Sequence, residues 1–235
     1  MTRLNGWRTI CGALSVCVAM ANPGQAQTFR MLFNFDFTHG AWPTTPLAQG
    51  VDGNLYGTTY QGSVQQAGVL FRVDAAGSFR VLHNFCSQEG CPGGHFPWAG
   101  LLLASDGNFY GTTMGGTIFR VTPADEFTTV YKFHPGADGY EPEAPLIEGA
   151  DGNLYGTTYA GQSNSGAVFR LEAPIKGQKS WSFKSLYDFT GPPDGALPAA
   201  TVIFDRFSNL YGTTTKGGTG TCRPYGCGTV FEALH

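Results

Sequence analysis

The tetrapeptide Tyr-Gly-Thr-Thr occurs four times, starting at Tyr56, Tyr110, Tyr155 and Tyr211, and each copy sits inside the same longer pattern. Thirteen residues before each tyrosine stands a proline: Pro43, Pro97, Pro142 and Pro198. After each copy, a loop of variable length leads to an apolar run ending in phenylalanine, at Phe71, Phe119, Phe169 and Phe231. Self-similarity at a fixed spacing commits a chain to a repeat architecture, because one such unit cannot bury its apolar face alone.

Each unit reads as four strands. Strand a follows the proline, as in Trp98 to Ser105. An Asp-Gly-Asn turn comes next, at Asp52, Asp106 and Asp151, and such turns tolerate the positive φ of a tight hairpin. The fourth unit loosens it to the stretch from Asp205 to Asn209. Strand b carries Tyr-Gly-Thr-Thr, strand c ends in the phenylalanine, and strand d ends in a second one, at Phe85, Phe133 and Phe189. The glycine within strand b points to a close backbone approach. With 34 glycines, 14% aromatic and 13% charged residues, the composition suits short strands joined by tight turns.

Four antiparallel strands in a unit of roughly 50 residues predict an all-β fold, a β-propeller of four blades. The repeat cores are 43–85, 97–133, 142–189 and 198–231, within one domain over 27–235. An isolated segment, Thr28 to Phe35, matches strand d, and the last unit stops after strand c. The N-terminal strand is therefore expected to close the last blade and hide an open sheet edge. A fragment of a longer array, or half of a dimeric, eight-bladed ring, is the rival arrangement to a closed monomer.

Residues 1–26 read as a secretory signal peptide, with Arg3 and Arg8 ahead of an apolar run and small residues before Ala21 and Ala26. The run is too short for the ~20-residue helix that spans a bilayer, so no membrane span is expected after cleavage. Without Arg3 and Arg8, 12 basic residues face 17 acidic ones, a formal charge of −5. Such a surface lacks the concentrated basic face that nucleic acid requires, so no nucleic-acid partner is expected.

The pattern of proline, leucine, Asp-Gly-Asn-Leu-Tyr-Gly-Thr-Thr, Gly-x-Val-Phe-Arg-Leu and a closing aromatic strand resembles the GloVer repeat of bacterial "choice-of-anchor" tandem-repeat proteins. It is more loosely similar to NHL propeller repeats. The resemblance implies export, a propeller-like fold and residence outside the cytoplasm, in a periplasmic, secreted or surface setting. It brings no catalytic residue and no cofactor. The stop at His235, soon after Phe231, makes surface anchoring doubtful.

The four cysteines beyond the leader form two closely spaced pairs, Cys86 with Cys91 and Cys222 with Cys227. In an exported chain these predict two local disulfides; a zinc site using His95 is the alternative. Both pairs fall in b-to-c or d-to-a loops, which share one face of the ring and hold its length variation. Variable loops on a constant scaffold are where binding residues gather. The ligand-binding candidates there are Trp42, Tyr60, His95, Tyr140, Tyr159 and Asp194, for a polysaccharide or protein partner. Tyr56, Tyr110, Tyr155 and Tyr211, with the four strand-c phenylalanines, read as core. A non-catalytic binding module is the leading expectation. A carbohydrate-active hydrolase or lyase using Asp138, Glu141 or Asp194 is the second, and a purely structural module the third. No metal or cofactor motif is found.

Overall fold

The computed structural model describes residues 28–161, 164–175, 180–222 and 224–233. The expected leader, 1–26, lies outside them. Residues 28–31 belong to a short N-terminal unit, and the body of the fold runs from Leu32.

Among the described residues all elements are strands, and they repeat with the sequence. Blade 1 holds β1 (Ala48–Gln49), β2 (Leu55–Thr59), β3 (Val69–Val73) and β4 (Phe79–Asn84). Blade 2 holds β5 (Leu102–Leu103), β6 (Phe109–Thr113), β7 (Thr117–Val121) and β8 (Phe127–Lys132). Blade 3 holds β9 (Ile147–Glu148), β10 (Leu154–Thr158), β11 (Ala167–Glu172) and β12 (Ser182–Asp188). Each is an antiparallel sheet in chain order. In blade 4, β13 (Gly195–Ala196) pairs with β16 (Lys216–Gly217) at a loop, beside a three-stranded sheet of β14 (Ile203–Phe204), β15 (Leu210–Thr214) and β17 (Thr229–Ala233). The protein is an all-β propeller built of these blades.

The glycine of Tyr-Gly-Thr-Thr sets the geometry of every blade. Gly57, Gly111, Gly156 and Gly212 lie opposite Phe71, Phe119, Phe169 and Phe231 in the ladders. A Cβ at Gly57 would come within 2.7 Å of the Phe71 ring and 2.8 Å of Leu47. At Gly156 it would meet Leu146 and Phe169, each at 2.9 Å. Gly111 faces Phe119 and Leu101, and Gly212 faces Phe231 and Val202, in the same way. The strand-c ring and the strand-a aliphatic side chain thus share the space a side chain would fill, which accounts for a residue that otherwise weakens a strand.

Apolar packing lies between blades rather than in one central lump. At each boundary the last phenylalanine of an outer strand meets the strand-c phenylalanine of the next blade edge to face. The ring centroids are 5.3 Å apart for Phe85 and Phe119, 5.3 Å for Phe133 and Phe169, and 5.1 Å for Phe189 and Phe231. A bulge makes this possible. In every complete blade the register of strands c and d slips just before the strand-c phenylalanine, at Leu70/Phe71, Ile118/Phe119 and Val168/Phe169. Because side chains alternate along a strand, one extra residue moves all that follow to the other face. Phe127 accordingly packs in the layer between blades 1 and 2, while Tyr131 and Phe133 pack in the next layer.

Strand a is shorter than expected, with only two ladder residues per blade. The residues ahead of it converge on the axis: a Cβ at Gly100 would lie 3.3 Å from Pro46 and 3.9 Å from Pro145, so three blades meet there. Prolines cannot donate to a ladder, which delays pairing until the chain has left the axis.

The expected hydrogen-bonded closure is not formed. Among the described residues the fourth sheet has three strands, and Thr28 to Phe35 carries no ladder. Phe33 and Phe35 nevertheless hold outer-strand positions in packing terms. Phe35 meets Phe71 at 5.2 Å, and Phe33 stacks on Phe79 at 3.6 Å, as His83 stacks on Phe127. Ring packing against the next blade needs no ladder, so the two halves of the expectation separate. The outer face of β17 stays open, with Val230 81% exposed.

Replacing Gly111 with alanine should lower the unfolding free energy by about 1–3 kcal/mol, the usual cost of overpacking a filled core. Urea melts of the variant and parent measure this; a difference under about 0.5 kcal/mol, the surface-substitution range, would refute the glycine–ring account.

Candidate functional site

The b-to-c and d-to-a loops share one face of the blades, and four repeat-equivalent residues occupy an unusual conformation there. Trp42, Phe96, Glu141 and Leu197, each directly before its proline, have φ of 57°, 56°, 56° and 56°. Bulky residues rarely hold positive φ, and a following proline restricts the backbone further. Backbone hydrogen bonds hold them: their carbonyls accept from the N–H of Tyr60, Met114, Tyr159 and Thr215. Phe96 and Leu197 also donate to the preceding blade, at Ala67 and Ser165.

At the boundary of blades 1 and 2 this produces a ladder of four aromatic rings. Trp42 stacks near-parallel to Tyr60 at 6.4 Å, and Tyr60 lies 5.1 Å from both Phe96 and Trp98. Trp42 is 58% exposed and Trp98 44%. Trp98 was hidden in the sequence because it reads as the start of strand a; the ladder begins only at Leu102, which leaves Trp98 on the face. Its position beside a proline that follows another aromatic was the available signal.

The other candidates are distributed around this ladder. His95 is half-buried, packs edge-on against Phe96 at 5.0 Å, and is held by burial below its ordinary pKa. Tyr140 bridges to Ala160 through its backbone, and Tyr159 donates its N–H to Glu141. Neither tyrosine has a ring partner among the described residues. Glu143 is pushed up by burial and then by the charge of Glu141, so the two carboxyls flanking Pro142 interact. Tyr225 lies under the Lys216 ammonium at 4.2 Å.

Asp194 and Asp138 belong to the loops themselves. Asp194 accepts from the Tyr187 hydroxyl at 3.0 Å and from the Thr190 N–H at 3.0 Å and hydroxyl at 3.2 Å. Asp138 accepts from the Tyr131 hydroxyl at 2.6 Å, and from the His134 N–H at 3.1 Å and ring Nδ1 at 2.8 Å. The Cys86–Cys91 disulfide closes the equivalent loop of blade 1, and Cys222–Cys227 staples the long loop of blade 4. Both expected pairings are present, which leaves these thiols unable to hold zinc. Among the described residues no group of three or more metal-ligating side chains exists.

The Asp-Gly-Asn turns sit on the opposite face and are closed upon themselves. Asp106 accepts from the Asn108 N–H and side-chain amide and from the Tyr110 hydroxyl at 2.8 Å, as Asp52 and Asp151 do in their blades. In the fourth unit Ser208, at φ 69°, takes the glycine's place, and Asp205 still accepts from Asn209. Tyr56, Tyr110 and Tyr155 are anchored core, 1–2% exposed, whereas Tyr211 and Phe231, expected as core, are only half-buried because β17 has no strand beyond it among the described residues.

The family model described as the Gloeobacter/Verrucomicrobia repeat matches residues 116–234. The chain belongs to this repeat family. No curated protein matches it. The solved structures similar to the repeat protein include three whose names are all provisional. One is a gluconolactonase, at 16% identity and TM-score 0.46, with 73% of this chain and 57% of that chain covered. Another is the extracellular domain of a hybrid two-component system from B. thetaiotaomicron, at 15% identity and TM-score 0.47, with 74% and 20% covered. The third is an oxidoreductase (glucose dehydrogenase) from Thermus thermophilus, at 14% identity and TM-score 0.32, with 78% and 79% covered. The repeat protein thus spans little over half of the first structure and a fifth of the second.

Burial alone would raise Asp194, but hydrogen bonds from Thr190, Gly195 and Tyr187 outweigh it and hold the carboxyl below its ordinary 3.8. Its stabilising contribution is therefore complete above pH 3.8 and lost as pH falls through the lower folded-state value. Asp194→Ala should cost about 1–3 kcal/mol at neutral pH, since it strands donors aimed at the carboxylate, and should flatten the acid limb of the stability profile. Thermal melts from about pH 2 to 7 measure both; an unchanged profile would show that Asp194 is not a loop closure.

Proposed function

We propose that this propeller is exported and binds a polysaccharide through its loop face, without catalysis. The observation that carries this is the pair of exposed indoles, Trp42 and Trp98, packed about the half-buried rings of Tyr60 and Phe96. Tryptophan and tyrosine offer flat apolar faces with a polar edge, which match the axial C–H face of a pyranose and its equatorial hydroxyls. Two exposed indoles on either side of Tyr60, one from each of two blades, suit an extended chain better than a single small ligand. The backbone of Trp42 and Phe96 is fixed before any ligand arrives, which reduces the ordering cost of binding. Two disulfides in the loops fit an oxidising compartment.

A carbohydrate-active enzyme is the second reading, favoured by one observation. Glu141 and Glu143 interact, and Glu143 is held toward its protonated form, as a general acid would be. Asp138 and Asp194 offer little to that reading, because their carboxylates close their own loops.

Affinity electrophoresis of the secreted chain through gels carrying neutral or anionic polysaccharides tests the proposal. Trp42→Ala and Trp98→Ala should each weaken retardation about tenfold or more, the scale of losing one stacked ring, with melting temperatures near the parent's. Retention of full binding in both variants would defeat the loop-face assignment. Release of reducing ends from the retarding polysaccharide, lost in Glu143→Gln, would establish the enzymatic reading instead.

A further inference from the structure

Every complete blade pairs its Tyr-Gly-Thr-Thr tyrosine with an arginine on strand c: Tyr56 with Arg72, Tyr110 with Arg120, Tyr155 with Arg170. In blade 1 the guanidinium reaches across the boundary to Asp125 of blade 2 at 3.0 Å. In blade 3 it is paired with Glu172. Arg120 departs from this pattern in its charge: among the described residues it makes no ion pair, while its buried Nε, like that of Arg170, has no hydrogen-bond partner. A buried donor left unmet is costly unless something satisfies it.

Beside Arg120 the boundary between blades 2 and 3 opens, on the face opposite the aromatic ladder. The cleft measures about 380 Å³ and is lined by Asp106, Tyr110, Glu148 and Trp181 as well as Arg120. It continues past Arg120 and Trp181 into a second hollow of about 270 Å³ bordered by Thr128 and Ser180. The indole of Trp181 is half-buried and set edge-on against Tyr110 at 5.5 Å, so it forms a fixed wall. Glu148 reaches from blade 3 and accepts from Ser105 of blade 2, through its N–H at 2.7 Å and hydroxyl at 2.6 Å. The acceptors in the cleft are therefore positioned before any ligand binds.

We propose that this cleft is a second binding site, for a neutral sugar unit of one or two pyranose rings. Among the described residues one guanidinium stands beside two carboxylates, a net negative lining that disfavours uronates, phosphates and other anions. A hydroxylated ring carries both donors and acceptors: its oxygens take the Arg120 N–H groups, its hydroxyls give to Glu148, whose two oxygens each accept only one bond from Ser105, and its C–H face lies on Trp181. The volume is at the lower end of the roughly 300–1,000 Å³ typical of ligand pockets, which limits the ligand to a short unit. This site is separate from the loop face and does not depend on it.

The test is titration calorimetry of the full secreted chain with three neutral disaccharides, cellobiose, maltose and laminaribiose, and with digalacturonate as the anionic counterpart. At least one neutral disaccharide should bind, digalacturonate should bind at least tenfold more weakly, and Trp181→Ala should lower the affinity at least tenfold while Trp98→Ala leaves it unchanged. Should Trp181→Ala fail to fold, the indole N–H signal of Trp181 in the parent, assigned through Trp181→Phe, must shift on titration. Arg120→Met should also weaken binding at least tenfold. No heat and no indole shift from any neutral probe at millimolar concentration would overturn the proposal. So would tighter binding of digalacturonate, or binding lost with Trp98 rather than Trp181, which would return the ligand to the loop face.

Discussion

The structure depends on a contact in which a glycine makes room for a ring. In each blade the glycine of Tyr-Gly-Thr-Thr lets the strand-c phenylalanine and a strand-a aliphatic side chain meet over bare backbone. The outer-strand phenylalanine of the preceding blade then closes on that ring from the other side. One residue thus links packing within a blade to packing between blades. That coupling explains why the glycine and the two phenylalanines recur in register while loop lengths vary freely. A solenoid-like array gains its stability from such nearest-neighbour interfaces rather than from a single core.

The same economy shapes the loop face. Four pre-proline residues hold positive φ because backbone hydrogen bonds to neighbouring strands and loops fix them. Their side chains are then free to differ: Trp42 and Phe96 build an aromatic surface, Glu141 an acidic one, and Leu197 an apolar one. The d-to-a loops are closed by different chemistries at equivalent places, a disulfide in blade 1, an Asp–His pair in blade 2 and an Asp–Thr pair in blade 3. A constant scaffold with interchangeable closures is suited to varying its surface without disturbing its blades.

Much of this was legible in the sequence, and the gaps have physical causes. The blades, their turns and both disulfides follow from fixed spacing and from residues with one conformational use, such as glycine after aspartate. The bulge before each strand-c phenylalanine was not legible, because it is a register relation between two strands and leaves no residue type of its own. Trp42 and Tyr60 stood out as aromatic residues in variable loops, whereas Trp98 was concealed by a strand that pairs later than its apolar run suggests. Asp194 reads as a free loop acid, yet its partner Thr190 lies four residues earlier, a spacing that could have signalled a closed turn. The Arg120 cleft was invisible, since its arginine matches Arg72 and Arg170 in sequence and differs only in what stands opposite.

If blades are held by contacts on both faces, local stability should follow how well each face is covered. The strands β6 and β10 are buried along their full length, whereas β15 has only its first and last residues buried. Native-state hydrogen exchange at the amides of the four Tyr-Gly-Thr-Thr strands tests this directly. The account predicts that β6 and β10 exchange only through the largest openings, and that β15 exchanges at least tenfold faster. Equal protection across all four strands, or slowest exchange in β15, would contradict it.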